Sequence, residues 1–128
     1  MQTRHEIRIE TMTFLYQQDL RGDIVVEPFK ESYDLYHAVL AHLAEIDQLI
    51  KDTLVNYTIE RLSFVDRAII RLAVYEMMYT DTPKPIVINE AIKLTKAYSN
   101  LEDEKQSAFT NRLLDNISKR LGWYHARR

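Results

Sequence analysis

Few residues of this 128-residue chain are of a type that does chemistry, and most of them sit at helical spacing. Asp34 and His37 lie three apart, as do His42 and Glu45, which is the carboxylate and imidazole spacing used by helical bundles that hold iron pairs. Such a centre also needs carboxylates projecting inward from the facing helices. Here those helices offer leucine and isoleucine instead, and the two pairs differ in order and run out of phase. They read as surface hydrogen bonds, with no metal and no cofactor. Cysteine is absent, and the two glycines, Gly22 and Gly122, are too far apart to build a phosphate-cradling loop, so nucleophilic and nucleotide-binding chemistry lack their usual parts. No enzyme is indicated.

Two other sets of charged residues stand out. Glu76 lies in a stretch that is otherwise nearly all apolar, and a buried carboxylate must be paired or protonated. Arg71 or a tyrosine from another helix is the expected partner. Near the start, Arg4 and Arg8 sit four apart, one above the other on a helix, with His5 beside them. By composition alone this is a solvated face offset by Glu6 and Glu10.

The elements that position these groups are helical. From Glu60 to Tyr79 the chain reads ERLSFVDRAIIRLAVYEMMY, and a helix apolar nearly all round belongs in a core. Ser63 followed by Asp66 has the spacing of a capping box at its start, and Pro83 and Pro85 close it. The run is about 18 residues, near membrane-spanning length, but Arg67, Arg71 and Glu76 inside it would be too costly in lipid. A first helix runs from Thr3 to about Leu20, with Thr3 and Glu6 in capping-box spacing, Ile7, Thr11, Met12, Phe14 and Leu15 as its stripe, and Gly22 as its stop. Tyr16 near its end has the position of a half-buried core residue. A long second helix is predicted from Ser32 to about Val55 on the periodicity of Leu35, Val39, Leu43, Ile46, Ile50 and Leu54, with Asn56 as a left-handed cap. Another runs from Pro85 to Tyr98. The last carries Phe109, Leu113, Leu114, Ile117 and Leu121 and is expected to stop at Gly122.

The composition agrees. Apolar residues make up 46% of the chain, enough for one domain with a real core. Two glycines and three prolines leave too few turn residues for a sheet of hairpins, so the class is all-α. Without cysteine, and without an uninterrupted apolar segment near the start to serve as a signal peptide, the expected location is cytoplasmic. A net charge of −2 gives no global attraction to nucleic acid, so any such function rests on a local patch. From Ile117 to the end there are four Lys or Arg and no acid, the clearest local positive bias.

Residues Asp47 to Pro83 and Ile88 to Asp115 resemble the NusB transcription antitermination family. The resemblance is carried by DQLI, LVNYTIERLSFVDRAIIRLAVYEMMY, INEAIKLTKAY and FTNRLLD, in that order and with nearly the family's gaps. It implies one all-α domain of five to seven helices and no sheet, in two small lobes roughly at 1–56 and 57–122, with a basic tail at 123–128. It also implies a protein that binds boxA-like single-stranded RNA together with the small-subunit ribosomal protein NusE. With the other Nus factors these act on the RNA polymerase elongation complex and promote read-through, notably of ribosomal RNA operons.

Carried over by position, the resemblance implies RNA contacts at Arg4, His5, Arg8, Phe109 and Asn111. Tyr16, Glu60 and Asp66 would meet the protein partner, with Glu60 and Asp66 as an exposed docking edge. The chain departs from the family at Glu6 and His5, where arginines are usual, at Ala108, Thr110 and Arg112, and in a short link from Gly22 to Lys30. Arg112 and Lys105, with the basic tail, supply positive charge from another direction. The alternative is a protein-interaction module of the same fold, or a homodimer through the first helix, with reduced RNA binding.

Overall fold

A computed structural model describes residues 2–99 and 104–126, with side chains as far as residue 122. Among the described residues there are six α-helices and no strand: α1 Arg4–Arg21, α2 Glu31–Ala41, α3 Leu43–Thr53, α4 Phe64–Tyr79, α5 Lys84–Tyr98 and α6 Glu104–Ala126. A single 3-10 turn, Ile59–Arg61, precedes α4. No helix among the described residues is long and apolar enough to cross a membrane.

Helix α4 is the hub, packing against each of the other five α-helices. Ala68, Ile69, Ile70, Leu72, Ala73, Val74 and Met77 are all buried, so its apolar character extends round most of its circumference, as its sequence requires. The core is continuous from Met12 of α1 to Leu121 of α6. Local signals set several of the ends. Thr3 and Glu6 form a complete capping box on α1, and Gly22 closes that helix at φ 87°, a conformation open to glycine at little cost. Asn56 also adopts a positive φ, 55°, just beyond the end of α3.

Two predicted boundaries are overturned. The long second helix is broken at His42, whose backbone turns to φ −112°, ψ 15°. No glycine or proline marks the break; tertiary contacts hold it. The His42 ring stacks on Tyr79 of α4 with centroids 4.1 Å apart and bonds Glu45 through Nδ1 at 3.0 Å. The break lets α2 lie on α1 while α3 lies on α4 and α6. At the other end, α6 runs through Gly122 to Ala126. Glycine in a helix interior costs about 1 kcal/mol relative to alanine but removes no hydrogen bond, so it weakens the helix there without ending it. The side chains of the basic tail, 123–128, lie outside the described residues.

Three of the four charges inside α4, Arg67, Arg71 and Glu76, find a partner on a neighbouring helix. Glu76, 4% exposed, is gripped by Arg8 of α1, itself 6% exposed. Arg8 Nε donates to Oε2 at 2.9 Å and Nη2 to Oε1 at 2.9 Å. Arg71, the partner expected from the sequence, instead forks onto Asp47 of α3 at 2.9 and 2.8 Å and reaches Asp19 of α1 at 3.3 Å. Arg67 donates to the same Asp19 at 2.7 Å. Between α1 and α2, Glu10 accepts from the Ser32 hydroxyl and from Gln2 Nε2, with Lys30 3.5 Å away.

Removing one member of the Arg8–Glu76 pair strands a buried charge, so Arg8→Ala and Glu76→Ala should each lower the unfolding free energy by about 3–5 kcal/mol in urea titrations. The double exchange Arg8→Met with Glu76→Leu removes both charges and should be no less stable than the native chain. The Ser32 hydroxyl, then Gln2 and Lys30, hold the Glu10 carboxyl below its ordinary 4.5 although burial pushes the other way. A lowered folded value contributes stability that is fully present above the ordinary value and lost as pH falls through the lower one. Melting temperatures of the native chain and Glu10→Gln should therefore differ at neutral pH and converge in acid. A gap independent of pH would show that this titration is not its source.

Candidate nucleic-acid interface

The basic start of α1 is divided by the fold. Arg4 stays at the surface, its Nη2 donating to Thr82 Oγ1 at 3.3 Å in the link between α4 and α5. His5 pairs through Nδ1 with Glu90 Oε2 of α5 at 3.1 Å. Arg8 lines one small recess with Arg4, Leu35, Glu76 and Thr80 but is almost fully enclosed. One turn further on, α1 is already against α4, and the guanidinium is committed to Glu76. Of the two arginines expected to grip phosphates together, Arg4 is exposed and Arg8 is buried in its pair with Glu76. The pair's charge reaches further: burial opposes ionisation of Glu90, but the His5 hydrogen bond and the charges of Lys93 and Arg8 hold its carboxyl below the ordinary value. Burial likewise works against the Arg8 charge, and the Glu76 hydrogen bond and carboxylate more than offset it, raising Arg8 above its ordinary value.

A second set of groups lies along α6. Lys105, Asn111 and Arg112 are exposed and Phe109 is half-buried, while Thr110, Leu113 and Leu114 are buried and anchor the helix in the core. Lys105, Phe109, Arg112 and Asn116 follow one another at four, three and four residues, which places them on one stripe of the helix. Phe109 packs on Tyr57 with centroids 5.2 Å apart. The Arg61 guanidinium lies 4.7 Å from the centroid of the other aromatic ring, that of Tyr57, at cation–π distance. Neither Tyr57 nor Arg61 was singled out by the sequence reasoning. Their only signal was a four-residue separation, which the irregular 56–62 stretch gave no reason to read as a shared face. Phe109, Arg112, Leu113 and Asn116 form one wall of an open groove of about 240 Å³ whose other wall is Thr53, Leu54 and Val55. Arg120 Nη2 donates to the Asp52 carbonyl at 3.1 Å beside it.

The groups assigned to a protein partner cluster at the start of α4. Tyr16 is half-buried, its ring edge-on to Phe64 at 6.5 Å. Arg67 lies over the other side of this small apolar patch, 4.7 Å from the Phe64 centroid. Glu60 is exposed on the 3-10 turn. Asp66 is not part of an exposed edge: it is only 6% exposed, its amide donates to Ser63 Oγ at 3.1 Å, and its Oδ2 accepts from that hydroxyl at 2.7 Å. Only the hydroxyl half of the capping box forms, and Asp66 Oδ1 is left buried without a hydrogen-bond partner. The remaining candidates for chemistry do not gather. His37 lies against Tyr33 and Tyr36, His42 bonds Glu45, and no group of three or more potential metal ligands occurs among the described residues.

A model of the NusB family matches residues 5–119. Transcription antitermination protein NusB of Campylobacter jejuni subsp. jejuni is 36% identical over 132 aligned positions, covering 93% of this chain and 98% of that protein. The Bacillus subtilis protein of the same name is 37% identical over 125 positions, covering 89% and 93%. Among solved structures, T. maritima NusB superposes with a TM-score of 0.80 at 29% identity, covering 92% of each chain. A chain from the crystal structure of antitermination factors NusB and NusE in complex with dsRNA gives a TM-score of 0.75 at 29% identity, covering 91% of this chain and 96% of that one.

The geometry at the start of α4 makes Ser63 the sensitive position. Ser63→Ala removes the acceptor for the Asp66 amide and the donor to Oδ2 in one step, leaving both carboxylate oxygens of a buried group unsatisfied. A loss of about 1–3 kcal/mol is expected in thermal or urea unfolding. A change within error would mean that Asp66 rearranges into solvent at negligible cost.

Proposed function

This chain belongs to the NusB family of transcription antitermination proteins, and from that premise we propose that it binds boxA-like single-stranded RNA together with the ribosomal protein NusE and promotes read-through by RNA polymerase, notably in ribosomal RNA operons. It is a transcription factor and not an enzyme. The observation that carries the RNA reading is the α6 stripe. Lys105 and Arg112 flank Phe109 on an exposed helix face, which pairs phosphate attraction with a surface for stacking, the combination used on unpaired RNA. Asn111 adds an exposed amide beside it. Arg4, with His5 beside it, adds a second cationic position near the contact of α1 with α5. Arg8 supports that position from within by holding α1 on α4, and is not itself assigned a phosphate.

The partner surface is assigned to Tyr16, Glu60 and the start of α4. A ribosomal protein is basic in character, and an exposed glutamate at a helix start offers such a partner an electrostatic target. Asp66, enclosed under the cap, is assigned to this surface as a support for the first turn of α4. The alternative of an interaction module with reduced RNA binding, or a homodimer through α1, draws support from the withdrawal of Arg8 into the core.

The deciding measurement is RNA binding by the full chain, with and without NusE, across a salt series, using boxA-like, scrambled and duplex RNA. Preference for the boxA-like strand is expected, strongest with NusE present. Arg4→Ala should weaken binding and lower the salt slope by about one, without lowering the melting temperature. Glu60→Lys should slow association with NusE and leave the fold intact. Equal affinity for boxA-like and scrambled RNA with NusE present would remove the RNA reading in favour of the interaction module.

A further inference from the structure

We propose that the outer face of α3, with the ring stack where it meets the end of α4, docks a basic amphipathic helix of a protein partner. One arginine of that helix lies on the rings and forks onto Glu45, while a second reaches Asp52. The surface lies at the far end of α4 from the contact assigned to NusE. Phe64 and Tyr79 are the first and last residues of that helix, about 22 Å apart at 1.5 Å per residue. This docking face does not rest on the RNA reading.

Two helices build the stack. The His42 ring lies on that of Tyr79 with centroids 4.1 Å apart, and Tyr75 flanks both, 5.4 Å from Tyr79 and 6.1 Å from His42. Tyr79 is 40% exposed, so the stack reaches solvent. Glu45 is fixed at its edge: the Tyr79 hydroxyl donates to Oε2 at 2.7 Å, and His42 Nδ1 lies 3.0 Å from the same oxygen. The Tyr79 hydroxyl first, then His42, hold this carboxyl below its ordinary value, and the bond to Glu45 pushes the tyrosine up to about 12. The anion is therefore present at neutral pH, and Oε1 is bonded to no group among the described residues. Rings beside a fixed carboxylate suit a guanidinium, which stacks on aromatic faces and forks onto carboxylates as an ammonium cannot. The fold uses the first half of this contact twice, with Arg61 over Tyr57 and Arg67 over Phe64, each 4.7 Å from the centroid. Among the described residues no arginine or lysine lies over Tyr75 or Tyr79 in this way.

The face leading away from the stack fixes what else the partner carries. Ala44, Glu45, Gln48, Leu49 and Asp52 line a shallow, open trough of about 600 Å³, at spacings that place them on one side of α3. Ala44 and Leu49 make its apolar part, and Glu45 and Asp52 make its ends acidic. The two acids are seven residues apart, about 10 Å along the axis, which is also the separation of side chains two turns apart on a facing helix. Gln48 Nε2 steadies Asp52 by donating to Oδ1 at 2.8 Å. No lysine or arginine lines the trough, and Lys51 projects about 100° round the helix from Asp52. The complement of this surface is a helix with arginines at i and i+7 and apolar residues at i+3 and i+4. Charge decides against nucleic acid, since the two carboxylates repel phosphates.

The test is NMR titration of the full, isotope-labelled chain with capped, alanine-based helical peptides of about 20 residues. NMR is chosen because α3 has 11 residues, and so short a contact binds weakly by itself. One peptide carries arginines at i and i+7 with leucines at i+3 and i+4. In the others the arginines become lysines, become glutamines, or are shifted onto different faces. Signals from residues 42–52 and from Tyr79 should move with the first peptide. Its dissociation constant should rise about 2- to 5-fold on changing arginine to lysine, the range of one exposed cation–π contact, and further in the shifted and glutamine peptides. Glu45→Gln and Asp52→Asn, both at exposed positions, should each weaken the first peptide by about 2- to 5-fold, and added salt should weaken it as well. Equal binding of the arginine and glutamine peptides, an affinity that Glu45→Gln leaves unchanged, or no movement of signals at this face would each overturn the proposal. Peptide affinity should be the same with NusE bound; its loss would give the face to NusE and overturn the proposal. Movement of the same signals on adding boxA-like RNA would assign the face to nucleic acid, and movement on diluting the chain alone would assign it to a second copy. Either result also overturns the proposal.

Discussion

The buried pair of Arg8 and Glu76 is the constraint on which the rest of the arrangement depends. Two charges enclosed together gain little over two well-packed apolar groups, but either one left alone is strongly unfavourable. The pair therefore acts less as a source of stability than as a condition on geometry: α1 must meet α4 at the register where the guanidinium fork faces the carboxylate. That register brings Arg4 to the link after α4 and His5 to Glu90 of α5. The cationic position at the start of α1 is thus set by a residue that takes no direct part in it.

The same logic runs along α4. Its apolar surface is non-directional and would tolerate several ways of wrapping helices around it. The polar interruptions remove that freedom, because Arg67 and Arg71 must reach Asp19 and Asp47 on different helices. One helix so fills the core, orders α1 and α3 around itself, and presents its first turn to the outside. At that turn the cap has a cost, since Ser63 satisfies only one of the Asp66 oxygens. The same turn carries Phe64, packed edge-on against the half-buried Tyr16 ring.

The groove beside α6 depends on a feature at some distance along the chain. The groove exists because α3 ends where it does, and α3 can approach α6 because the chain turns at His42 and does not continue as one helix. With an unbroken helix, the stretch carrying Ile46 and Ile50 could not lie on α4 and α6 while Tyr36 and Val39 lie in the core beside α1. In a chain of net charge −2, the fold gathers Arg112 and Arg120 of α6 with Arg61 beside Tyr57 into a local cluster of positive charge.

The sequence by itself determined the helical class, the core and most helix ends. These depend on local periodicity and capping, which act between residues a few positions apart: Thr3 with Glu6, Ser63 with Asp66, Gly22 at the end of α1 and the prolines after α4. The family, too, was legible in contiguous strings of residues. Tertiary structure alone decided which charged side chains remain available. Arg4 and Arg8 look equivalent on a helical wheel, yet one is exposed and the other is enclosed, because the difference is made by Glu76, 68 residues away from Arg8. The break at His42, where the ring stacks on Tyr79, and the meeting of Tyr57 with Phe109 are of the same kind. Each depends on contacts between segments far apart in the chain, and desolvation and pairing at such contacts outweigh the fractions of a kcal/mol by which local preferences differ.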